Sequence, residues 1–219
     1  MPSERPDWLP RVVRLLVFLL IAKVTIGVVL AFGDYLPPQF ESGFLNGRDL
    51  YFWDGYHLPF YAHIISGPCS LLLGMLLLSS RFRKRFSGWH RKLGRVQVAC
   101  VLLLVSPSGL WMAFSAETGP IAGFGFGTLA VATGLCVLLG WRAAVNRRFA
   151  QHRVWMLRCY ILLCSAVVLR LTAGLATVTH VEGIWTYQMA AWTSWLVPLA
   201  ILEMWRKRGR RKPTAVEVA

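Results

Sequence analysis

Long apolar stretches alternate with short charged ones along the whole chain. Six apolar segments stand out, at residues 12–33, 61–80, 96–114, 123–141, 154–177 and 184–204. Each runs to about 19–24 residues, enough for a helix to cross a hydrocarbon core roughly 30 Å thick. None shows the short alternating pattern of a barrel strand. The pattern therefore predicts an all-α polytopic transmembrane helical bundle of six spans over residues 12–204. An N-terminal stretch, 1–11, precedes it and a basic tail, 205–219, follows. The first segment is too long for a signal peptide, lacks a small-residue cleavage site, and is followed by five more spans.

Composition supports this reading. Hydrophobic residues make up 56% of the 219 and charged residues 16%, with a mean hydropathy of +0.51. That excludes a soluble globular domain and a disordered chain. The formal charge is +14, and it is distributed unevenly. Arg5, Arg11 and Arg14 lie before or at the start of the first span. Seven bases lie in RFRKRFSGWHRKLGR, four more are Arg142, Arg147, Arg148 and Arg153, and six are in RKRGRRK. These regions hold 20 of the 24 bases and fall at one face of a six-span chain. The opposite loops hold one base, Arg48, and six acids: Asp34, Glu41, Asp49, Asp54, Glu117 and Glu182. The positive-inside rule then places both termini in the cytoplasm of a bacterial inner-membrane protein. Anionic headgroups account for the basic charge, so no nucleic-acid partner is expected.

Cys69, Cys100, Cys136, Cys159 and Cys164 all fall inside predicted spans without a CxxC pair, which argues against a disulfide framework. Residues 34–60 form the longest loop on the acidic side. Their aromatic run from Tyr51 to Tyr56 predicts either an interfacial, re-entrant segment or a lid over an outward-opening site.

Ionisable groups at membrane depth are the candidate chemistry. Lys23 lies mid-span. Arg158 is about a turn inside the basic boundary, within reach of headgroups, and Arg170 lies deeper. Glu117 and Glu182 are the possible protein partners of Arg170; a ligand carboxylate, phosphate or haem propionate is the alternative. His63 and His180 belong to one membrane level and His90 and His152 to the other, while His57 sits in the outer loop. Two imidazoles from different helices can ligate a haem iron or another metal, and a helix-end histidine can equally cap or meet headgroups. Pro107 predicts a kink or unwinding in the third span, and GFGFG at 123–127 predicts close helix contact. Several of the ten tryptophans lie near span ends as interface anchors.

The stretches HRKLGR (90–95), GFGFGTLA (123–130) and HRVWMLRCY (152–160) resemble the bacterial membrane family catalogued as domain of unknown function 2306. The likeness covers roughly residues 61–204. It rests on an HR-x-x-G turn at His90, Arg91 and Gly94, on Gly125 and Phe126, and on His152, Arg153, Trp155, Met156 and Arg158. His63 and Arg170 also match. A looser likeness is to two-haem cytochromes of the b561 type, which place paired histidines near both faces of a helical bundle. It implies haem b as a cofactor and a quinone or redox protein as partner. His63, His90, His152 and His180 would be ligands, and Arg158 and Arg170 would hold propionates or polarise a quinone oxygen. The residues leave other functions open: an anion or small-molecule transporter, an intramembrane enzyme, or an assembly subunit.

Overall fold

The computed structural model describes residues 9–41, 43–181 and 183–210, and among these the chain is helical with no strand. Six long helices follow one another: α1 (Leu9–Leu30), α2 (Asp49–Leu78), α3 (Ser87–Ala113), α4 (Pro120–Val145), α5 (Phe149–Thr179) and α6 (Ile184–Arg210). The first five are long and apolar enough to cross a membrane. The sixth predicted span is a helix too. It is less apolar, because Thr186, Gln188, Thr193, Ser194 and Glu203 interrupt its hydrophobic run.

The exterior is apolar. Leu72, Leu103, Phe124, Leu138, Val197 and Ile201 are all exposed. In water this surface would drive aggregation; against lipid it is the matched solvent. α1 is the extreme case, with Ile21 and Thr25 buried and Leu15 to Leu20 exposed. It leans on α2 and α5 at the edge of the bundle, and its Lys23 is exposed.

Without a hydrophobic force between helices in lipid, association depends on close packing and interhelical hydrogen bonds. Both occur here. A Cβ on Gly123 would stand 2.7 Å from the Ala113 carbonyl oxygen, so the α3–α4 hairpin closes only on glycine. A Cβ on Gly140 would meet the Met156 sulfur at the same distance, which sets the α4–α5 pairing. In the core, the buried Gln97 donates from Nε2 to the Ser70 carbonyl at 3.1 Å. Trp192 donates to the Ile121 carbonyl at 3.0 Å, tying α6 to α4.

Several boundaries differ from the sequence reading. α2 starts at Asp49 rather than near residue 61, because the aromatic run is helical. A kink at Asp54 and Gly55, where Gly55 takes φ 103°, lets this run turn inward. Leu45, Phe52, Tyr56 and Phe60 then form a second buried cluster, against which Tyr35, Phe40, Phe44 and Tyr51 pack as a cap on the bundle. The expected turn at HRKLG is the first part of α3. Pro107 does not break that helix. The local unwinding expected there is a π-helical turn at Val101–Val105, just before the proline.

The loops sort into two ends. Arg48 reaches the Ser115 carbonyl, and Gln188 reaches the Thr118 carbonyl, so the cap, the α3–α4 turn and the start of α6 share one end. His90, His152 and the Arg158–Glu203 pair lie at the other, basic end.

Candidate functional site

Three helices carry the candidate residues. α2 carries His63, α3 carries Ser108 and Gly109, and α5 carries Arg170. His63 Nδ1 lies 3.0 Å from Ser108 Oγ. The Ser108 hydroxyl is itself directed at the Leu104 carbonyl, one helical turn back. A serine has one proton, so here it accepts from His63, and the imidazole carries its hydrogen on Nδ1. In that tautomer Nε2 is the acceptor of the ring, and the Val105 carbonyl also lies within hydrogen-bond range of the imidazole. Gly109 makes room for the ring, since a Cβ there would come within 3.1 Å of it.

Arg170 is within electrostatic range of His63 and of Tyr35. Its guanidinium donates to the Ala166 carbonyl of its own helix at 3.1 Å, and among the described residues it has no carboxylate partner. Glu117 does not pair with it, and Glu182 lies outside the described residues. The structure therefore places Arg170, itself exposed, within electrostatic range of the half-buried His63, with no hydrogen bond between them among the described residues.

His180 does not join them. It ends α5 in a left-handed conformation and is exposed. It lies ten residues beyond Arg170, about 15 Å farther along the helix. Among the described residues no hydrogen bond joins it to His63, whose partner is Ser108.

At the basic end His90 and His152 are within electrostatic range of each other, each in the first turn of its helix. His152 Nδ1 lies 2.9 Å from the Gly140 carbonyl. A carbonyl only accepts, so that nitrogen is the donor, and Nε2 takes no part in the contact. His90 Nδ1 is buried without a partner. No group of three or more His, Cys, Asp or Glu residues converges among the described residues.

Arg158 has a protein partner that the sequence reading missed. Its Nε donates to Glu203 Oε1 at 2.7 Å, its guanidinium lies 4.4 Å from the Trp155 ring centre, and Arg206 reaches the same carboxylate at 3.1 Å. Glu203 is the lone acid inside any of the six apolar segments, and that was the available signal. Arg158 is thus held by an ion pair and not left to headgroups. A cleft of about 540 Å³ opens beside it, lined in part by Gln151, Trp155 and Lys207. The third motif divides accordingly. His152, Met156 and the Trp155 Cβ pack α5 on α4 at Gly140, while Arg158, stacked on the Trp155 ring, reaches α6.

Helices with lipid-facing apolar surfaces, close glycine contacts and a few paired or sheltered charges define an integral membrane protein of the helical-bundle class. The chain belongs to the DUF2306 family of predicted membrane proteins, whose model matches residues 60–206. No curated protein and no solved structure matches it. The likeness to b561-type cytochromes draws no support from these comparisons.

Proposed function

We propose that the chain crosses the bacterial inner membrane six times with both termini in the cytoplasm, and that it binds a lipid-soluble quinol or quinone at His63 and Arg170. The topology rests on the concentration of 20 of the 24 bases in segments of one face and on α6 running beside α4 and α5. The single observation carrying the ligand is an imidazole anchored on Ser108 within electrostatic range of a guanidinium that has no carboxylate partner among the described residues. A quinol hydroxyl would donate to His63 Nε2, and Arg170 would stabilise the oxygen as its proton leaves. Electrons would pass to a redox partner. The same cation could serve an anion carrier, but the oriented imidazole favours a hydroxylated ring.

The test is titration of purified protein in an uncharged detergent with a short-chain ubiquinol or menaquinol analogue, read by tryptophan quenching. Saturable binding is expected, weakened about 10- to 100-fold by Arg170→Gln or His63→Leu, the loss of a hydrogen bond to a charged or oriented group. Equal binding by wild type and both variants would rule the site out.

A second reading concerns the basic end. His152, with Nδ1 engaged on a carbonyl, would hold a metal through Nε2, and His90 is its neighbour. Haem b held there would supply one-electron chemistry. Its test is the reduced-minus-oxidised spectrum of protein produced with haem supplied. A colourless, metal-free preparation removes this reading and leaves the quinol site standing.

A further inference from the structure

Arg48 is the one base on the acidic side of the chain, and it is 4% exposed. It donates from Nε to the Phe44 carbonyl at 2.7 Å, and from Nη1 to Tyr51 Oη at 2.7 Å and the Ser115 carbonyl at 2.9 Å. Its guanidinium carbon sits 4.3 Å from the Phe44 ring centre. All three acceptors are neutral. Among the described residues, Nη2 makes no hydrogen bond and no carboxylate pairs with the guanidinium. A buried cation left this way retains an unmet attraction for an anion.

Arg48 also lines a cleft of about 390 Å³ with Asn46, Tyr51, Ser115 and Glu117. That volume is at the lower end of small-molecule sites. Glu117 lines the same cleft and forms no ion pair with Arg48. The anchoring of the guanidinium on residues 44 and 115 holds the two charges apart. A simple anion entering the cleft meets the repulsion of Glu117, and a simple cation meets that of Arg48. A ligand carrying both charges satisfies both.

We infer that this cleft binds a small zwitterion of the amino-acid type, its carboxylate on the Nη2 edge of Arg48 and its ammonium against Glu117. The site belongs to the cap and the α3–α4 turn, and is separate from His63 and Arg170. Residues 46–51 precede the part of the chain that the family model matches.

The experiment uses the full chain in an uncharged maltoside detergent and reads thermal stability. The probes are a series of ω-amino acids from glycine to 5-aminopentanoate, with propionate and propylamine as single-charge controls. At least one amino acid should raise the melting temperature saturably, with neither control doing so at the same concentration. Glu117→Gln should weaken that amino acid about tenfold while strengthening propionate. Arg48→Lys should weaken both. Absence of a saturable shift for every amino acid overturns the inference, as does tighter amino-acid binding by Glu117→Gln. Because Glu117 forms no ion pair among the described residues, its variant decides the matter even if Arg48→Lys does not fold.

Discussion

Arg158, Glu203 and Arg206 place two cations around one carboxylate, each side chain between a sixth and a third exposed. Removing the carboxylate leaves both guanidinia without a counter-charge at the membrane boundary. Glu203→Gln should therefore cost about 1–2 kcal/mol, more than an exposed surface pair and less than a fully buried one. A double-mutant cycle with Arg158→Gln, followed by thermal unfolding in detergent, measures it. A coupling near zero would show that the pair adds nothing. Spacing along the chain did not reveal this partner, because Arg158 and Glu203 are 45 residues apart and meet only when α5 packs on α6. Arg48 was likewise visible in the sequence only as an isolated base. Its burial depends on three acceptors, one of them 67 residues away.

At the level of elements, the helices owe their pairing to where glycine sits. Gly123 and Gly94 are both helical, yet their surroundings are opposite. Gly123 faces the Ala113 carbonyl oxygen, which is backbone and does not yield. Gly123→Ala should destabilise the α3–α4 hairpin by about 1–3 kcal/mol. A methyl group on Gly94 would have nothing within 4 Å of it, so Gly94→Ala should stabilise by about 0.5–1 kcal/mol through helix propensity alone. Melting temperatures of the two variants should move in opposite directions; a shared direction would undo the packing account. The helix cores were legible from hydrophobic runs. The starts of α2 and α3 were not, because amphipathic and basic stretches such as SGWHRKLGR form helix without an unbroken apolar signal.

For the whole molecule, the two ends differ in kind. One is basic, and the other is an aromatic cap closed around Arg48. In a cysteine-free background, Asn46→Cys should react with a membrane-impermeant maleimide in intact cells. Gly88→Cys should react only after permeabilisation. Labelling of both from the same side would overturn the six-span topology and the placement of the termini.

The all-helical class, the number of long helices and the segregation of charge were set by local composition. A run of about 20 apolar residues has one stable form in lipid, since its backbone groups must bond within the segment. Which polar groups meet was a matter for the tertiary structure. His63 with Ser108, Arg158 with Glu203, and Arg48 with the α3–α4 turn each join residues far apart in the chain. Helix register and close glycine contacts decide such meetings, and neither is written in any one segment.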